Sequence, residues 1–498
     1  FAPVSDEFSS DFCFLRCRRA GARQGEKGKK RRKGTLSGVF ALVNRWYQPN
    51  RKKASPIKIF SSKSTRQTAA PAHAKARPAP KKAAASKAAA RVKPEPVRET
   101  VNVTAAEDRV RKVKKKKKAA KRRKGFVVFF CIIAVLAGLY TFVVYTNVPF
   151  IKNLRDAYIE TAMQTMSHHW LAELFFPDDV IADVMSRVNN ATEKQQGIES
   201  EWTHKVEERD DGNFYELFDE IDKSSLESYL KSHPEYDKKS LMELDINEAG
   251  LDDNGTTIKT KQGDQVLAIN AKKGVLLVRI KGSGYQGVLA VLKDSSKMRC
   301  CAAAHIGGYG ELLEDFVPRC NGIIGVNASG FYDPDGVGNG GTVDGLAICE
   351  GKEYGYHVTY GRKRMEFRTD DKMYIVDADT SVASNVRDAV EFSPALIVDG
   401  KALIDEQSGF RSIQPRTVIA QAKDGDVMML VIEGRLVGRS LGIGLPDCTE
   451  ILLRYDAYQA MNMDGGTSSV MWYDGEYVTK CSNPAITCRY MPNAWIYG

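Results

Sequence analysis

Histidine is scarce in this chain, with seven in 498 residues. No His or Cys spacing matches a zinc site, which argues against zinc chemistry. His168 and His169 are neighbours, so on a helix they point to different faces, and no third ligand is placed beside them. No histidine stands near the serines singled out below, so a Ser–His nucleophile is not expected. The N-terminal quarter is short of acid: residues 1–125 hold 37 Lys+Arg against 8 Asp+Glu, and the remainder holds 36 against 54. The net charge of +11 is therefore the average of a basic tail and an acidic remainder. Long apolar runs are absent except for one.

That run is residues 126–146, FVVFFCIIAVLAGLYTFVVYT, which contains no charge. A helix of this length spans about 30 Å, one hydrocarbon core. Tyr140 and Tyr145 sit toward its far end, as interfacial aromatics do, and a Lys/Arg cluster at 111–124 precedes it. The positive-inside rule then puts the N-terminus in the cytoplasm and everything after residue 147 outside. The expectation is a single-pass anchor in the cell membrane carrying a large extracellular domain.

The tail, residues 1–125, is rich in Lys, Arg, Ala and Pro and cannot bury enough apolar surface to offset chain entropy, so disorder is expected. Tails of this kind can bind nucleic acid through counterion release. Without interleaved aromatics or a nucleic-acid fold, a tail lying on anionic inner-leaflet lipid is the better reading, and no nucleic acid is expected. Residues 147–262 read as a helical stalk followed by an acidic spacer: Val180, Ile181, Val184 and Val188 recur at helical spacing, with Pro177-Asp178-Asp179 opening that helix. Residues 263–498 alternate apolar strands with a few helices, and Asp424-Gly425 marks a hairpin. The fold class expected is α+β, a mixed-sheet catalytic domain after one transmembrane helix.

Seven cysteines follow the apolar run. Cys481 and Cys488 are spaced to close a short disulfide loop in an oxidising setting, and the odd count leaves one thiol over or linking two chains.

The chemistry concentrates in two glycine-containing turns. Asn462-Met463-Asp464-Gly465-Gly466-Thr467-Ser468-Ser469 echoes Asn327-Ala328-Ser329-Gly330-Phe331-Tyr332 upstream. In each, an apolar run delivers polar side chains into a turn where glycine lets backbone approach a ligand closely. Gln414-Pro415-Arg416-Thr417 lies between them. Together with Gly325-Val326, Ser393-Pro394-Ala395-Leu396-Ile397, Ile432-Glu433-Gly434-Arg435 and the closing Asn483-Pro484, these pieces make residues 270–498 resemble the phosphodiester glycosidase family, in the family's own order. The chain departs from the family pattern at Ala328-Ser329, where a glycine pair is common, and at Thr467, where a third glycine often sits.

The resemblance implies hydrolysis of a sugar joined through its anomeric carbon to a phosphodiester, here in cell-surface glycopolymers. Asp464 is the expected catalytic carboxylate, Glu433 a second candidate, and Asn327 a hydrogen-bonding partner of sugar or phosphate. Arg416 is expected to grip phosphate, because a guanidinium fork matches two phosphate oxygens. Gly465 and Gly466, with Thr467 and Ser468, are expected to form an anion-binding nest, and Tyr332 to line the substrate site. No cofactor is expected. Asp333-Pro334-Asp335-Gly336 with Asn339 offers oxygen donors of the kind calcium takes, although turn chemistry accounts for the same residues. The alternative is a non-catalytic glycan-binding or envelope-scaffold protein using the same cleft.

Overall fold

The structure, a computed structural model, describes residues 103–498 apart from 166–167, 204–205, 207–209, 237–239, 253 and 359. The tail expected to be disordered lies outside the described residues up to position 102. Its last part does not fit the expectation, because the basic cluster is helical. Helix α1, Val103–Tyr145, runs without a break from that cluster through the apolar segment. Lys, Arg and Ala are good helix formers, and a helix already nucleated extends at little cost per residue. Most of its apolar part is exposed, with Val144 near its end buried against the helices that follow, and it is long and apolar enough to cross a membrane.

Three shorter helices follow: α2, Pro149–Met163, α3, His169–Phe175, and α4, Asp178–Lys194. Proline opens α2, where its missing N–H has no partner to lose. α4 has Asp178 and Asp179 in its first turn and Lys194 in its last, both favourable to the helix dipole, and it buries Val180, Ile181, Val184, Val188 and Ala191. Just beyond α4, Gln195 exchanges two hydrogen bonds with the Ala395 backbone, at 2.9 and 3.1 Å. The segment assigned to an acidic spacer also enters the fold. Phe214, Phe218, Leu226, Leu244 and Ile258 share one apolar cluster with the main sheet.

That sheet has nine strands among the described residues. Across it run Asp245–Asn247, Gln265–Asn270, Val275–Gly282, Tyr285–Leu292, Val427–Ile432, Arg416–Ala422, Ala457–Asn462, Ala395–Val398 and Lys401–Ala402. One face packs on the Leu445–Leu453 helix and residues 214–258. The other packs on two five-stranded sheets, one containing Lys363–Arg368 and Val386–Phe392, the other Ile324–Asn327, Asn493–Tyr497 and Met471–Tyr473. Every pairing between the named strands is antiparallel, so the sheets are not mixed as expected. The reason is local: several adjacent strands are joined by tight hairpins, including the expected one at Asp424-Gly425, and a hairpin can only make antiparallel neighbours.

Strand alternation decides which side each motif faces. In Arg416–Ala422, Val418, Ala420 and Ala422 point to the helix-covered face and Ile419 to the face shared with the smaller sheets.

Candidate active site

Asn327 ends its strand and Asp464 follows Ala457–Asn462, so two sheets bring the two glycine turns together. Asn327 is fully buried. Its Nδ2 donates to the Asp464 carbonyl at 2.7 Å, and its Oδ1 accepts from Thr417 Oγ1 at 2.7 Å. The Asp464 N–H donates to the Ala328 carbonyl at 3.3 Å. Asn327 therefore holds the Asp464 turn in place from below, and its amide is engaged in that task.

The Asp464 carboxylate is pushed up to about 6, chiefly because burial disfavours its charge. The Ser468 hydroxyl and the Gly465 N–H donate to it and, with the positive charge of Arg489, hold the value from rising further. A carboxylate poised near neutrality in a recessed turn suits proton transfer. The amides of the expected anion nest are used internally. Gly465 N–H serves Asp464, and Gly466 N–H donates to the Pro415 carbonyl at 3.2 Å. Ser468 is buried, while Thr467 is partly open and accepts from Ser482 Oγ at 3.2 Å.

Arg416 lies on the other side of its strand. Its even register sends the guanidinium to the helix-covered face, where it donates to the Ile443 carbonyl at 3.2 Å and to the Ser412 carbonyl and hydroxyl at 2.7 Å each. Burial without a close carboxylate drops its pKa to about 10. The cations beside the Asp464 turn are instead Arg435 and Arg489. Arg435 adopts a left-handed backbone (φ 60°), a conformation a non-glycine residue holds only at a cost. Its guanidinium lies over Gly466, within 3.6 Å of where a Cβ would stand, and Nη2 donates to Gln414 Oε1 at 3.0 Å. It is exposed, and among the described residues no carboxylate is within ion-pair distance of it.

Arg489 forks onto Asp333, at 2.5 and 2.8 Å, and lies 4.8 Å over the Phe331 ring. The carboxylate at the head of the calcium-like loop is thus occupied by a guanidinium and by the Gly338 N–H at 2.6 Å. Next to it Tyr332 is 69% exposed, its ring free at the surface. Glu433 is buried and engaged. Arg439 grips both its oxygens, at 2.5 and 2.8 Å, and Lys480 N–H donates to Oε1 at 2.8 Å. These contacts clamp the end of Val427–Ile432 to the 435–441 hairpin and to the segment after Glu476–Tyr477.

The expected residues Asn327, Asp464, Gly465, Gly466, Thr467 and Ser468 converge, with Tyr332 on the adjoining loop, while the Arg416 side chain leaves the group. The sequence reading missed Arg435 and Arg489 as cations of the site. Arg435 stood in a matched motif and was open to notice. Arg489 gave no signal, since its partner Asp333 is 156 positions away. The expected Cys481–Cys488 link is not formed: Cys481 Sγ donates to the Thr467 carbonyl at 3.5 Å and Cys488 Sγ to the Arg489 carbonyl at 3.1 Å.

An uncharacterised protein, YomE, from the SPbeta prophage of Bacillus subtilis strain 168 is 27% identical over 184 residues, covering 35% of this chain and 28% of its own length. The chain therefore spans well under a third of that relative. Among solved structures, the catalytic domain of zebrafish N-acetylglucosamine-1-phosphodiester alpha-N-acetylglucosaminidase, auto-inhibited by its pro-peptide, is similar at a TM-score of 0.37 and 17% identity, over 45% of this chain and 81% of that one. The phosphodiester glycosidase family model matches residues 321–497, a span that takes in Asn327, Asp464, Arg435 and Arg489.

Proposed function

We propose that the chain is a membrane-anchored hydrolase that cleaves a sugar from a glycosyl phosphodiester in extracellular glycopolymers. The observation that carries this reading is the Asp464 carboxylate, raised to about 6 and acted on by the charge of Arg489, in a turn over whose Gly466 the exposed Arg435 guanidinium lies. Phosphate on the substrate takes the Arg435 fork, which has no carboxylate of its own among the described residues. Ionised Asp464 takes a proton from water as that oxygen bonds to the anomeric carbon. The anomeric C–O bond breaks, and its electron pair leaves with the phosphate monoester. A phosphate leaves readily, so the site needs less leaving-group protonation than an ordinary glycosidase with paired carboxylates. Tyr332 offers an aromatic face for the sugar.

The anchoring part of the reading rests on α1, whose apolar half is exposed over most of its length, and on the basic cluster before it, which sets the tail in the cytoplasm. The test is hydrolysis of UDP-N-acetylglucosamine, a soluble glycosyl phosphodiester, by the purified full chain in detergent, beside Asp464→Asn. Sugar release by the wild type that falls at least about a hundredfold in the variant is expected for loss of a general base. Glycan binding that persists with no turnover in the wild type would favour the binding-protein reading instead.

A further inference from the structure

Helices α2 and α3 turn large apolar side chains outward. The buried face of α2 carries Arg155, Asp156 and Glu160 beside Ile159 and Ala162, whereas Phe150, Leu154 and Tyr158, spaced by four, are 78%, 62% and 39% exposed. α3 repeats the pattern, with Ala172 buried and Trp170, Leu174 and Phe175 at 55%, 66% and 49% exposure. A helix facing water has the reverse arrangement. The two helices join, since Tyr158 OH donates to the Leu171 carbonyl at 3.4 Å and its ring lies 5.7 Å from that of Phe176.

Their height along α1 is fixed by two contacts. Tyr140 OH donates to the Phe175 carbonyl at 3.0 Å. Tyr140 lies five residues before the end of α1, about 7.5 Å down its axis. The end of α3 is therefore level with the last turns of the apolar run and not above it. Arg155 Nη1 donates to the Val144 carbonyl at 2.6 Å and the Thr146 carbonyl at 3.3 Å, closing the C-terminus of α1 against α2.

We propose that α2 and α3 form a collar embedded in the membrane interface at the C-terminal end of α1. Phe150, Leu154, Tyr158, Trp170, Leu174 and Phe175 enter the boundary between headgroups and acyl chains. The inference rests on the reading of residues 126–146 as a membrane span. Lipid is the occupant because the patch is continuous with that span and at its depth, and because Trp and Tyr are residues of the interface. The C-terminal end of α2 holds the domain: Thr161 Oγ1 accepts the Ile413 N–H at 2.9 Å, and Gln164 Oε1 accepts from Ser412 Oγ at 2.6 Å. Ser412 in turn accepts from Arg416, so the collar couples to the strand that carries Thr417. The glycosidase domain is thereby held at a set height and tilt above the bilayer.

The test is tryptophan quenching of the full chain in phosphatidylcholine vesicles, with and without bromine on the acyl chains near the headgroup. Quenching in the wild type should exceed that in Trp170→Phe at least about twofold, and Leu174→Asp should lose part of it while its near-ultraviolet circular dichroism stays unchanged. Equal quenching in wild type and Trp170→Phe would overturn the collar. Flotation of the same vesicles after alkaline carbonate separates the two readings. A chain that floats without Trp170 quenching keeps the anchor and loses the collar, and a chain that fails to float loses both.

Discussion

At the scale of residues, the site turns on one carboxylate whose charge the fold disfavours. The Asp464 pKa of about 6 lies above its ordinary 3.8, so the folded state binds more protons between these values. Stability then falls as pH rises from about 4 to 6, and the loss is fully present above that range. Asp464→Asn should recover up to about 3 kcal/mol at pH 7.5, less the hydrogen bonds that favour the carboxylate, and little at pH 4. Thermal denaturation at the two pH values checks this: the gain in Tm should be larger at pH 7.5. With Asp464 as the proposed general base, which works ionised, activity has the opposite trend, and kcat/KM should rise through an apparent pKa near 6. Arg435→Ala should lower kcat/KM by roughly 10- to 100-fold, the worth of a charge-assisted hydrogen bond, with Tm nearly unchanged. Glu433→Gln should do the reverse. It weakens the Arg439 fork, so about 2 kcal/mol of stability is lost while turnover per folded molecule holds, as urea unfolding run beside kinetics would show.

At the scale of elements, the Asp464-Gly465-Gly466 turn shows what glycine contributes. Gly466 sits at φ 64°, a left-handed conformation that favours glycine, and the Arg435 guanidinium lies over it at ordinary contact distance from where a Cβ would stand. Gly466→Ala should cost about 1 kcal/mol in stability from the left-handed backbone alone. Its effect on KM should stay close to what that cost implies, since the methyl would meet the guanidinium only at ordinary contact distance, and steady-state kinetics beside thermal melts checks this. Much of this level was legible beforehand. The apolar run, the α4 periodicity, the Asp424-Gly425 hairpin and both glycine turns are local patterns, and local patterns survive in a sequence. The direction of Arg416 was not legible, because a pairing register sets it, and a one-residue change of parity moves a side chain to the opposite face of the sheet. The role of Glu433 was hidden for a similar reason: Arg439 is near in sequence, but the Lys480 N–H that completes the clamp is 47 positions away.

At the scale of the whole molecule, one helix carries a basic half and an apolar half, and a net acidic unit follows it in the chain. With the full chain in sealed membrane vesicles of defined orientation, protease added outside should remove the tail only when the cytoplasmic face is outward. The glycosidase domain should be digested only in the opposite orientation, and the reverse pattern would invert the topology. What the sequence by itself determined is whatever depends on neighbours along the chain: the membrane-length run, the charge asymmetry around it, the helical spacing after it, and the ordered motifs of the family. Tertiary structure decided which of those residues meet. It joined Asn327 to Asp464 and Arg489 to Asp333 across more than a hundred positions, sent Arg416 away from the turn, and brought Arg435 over Gly466. The physical reason is that side-chain encounters between distant segments follow from sheet register and layer packing, which arise only when the entire core is assembled.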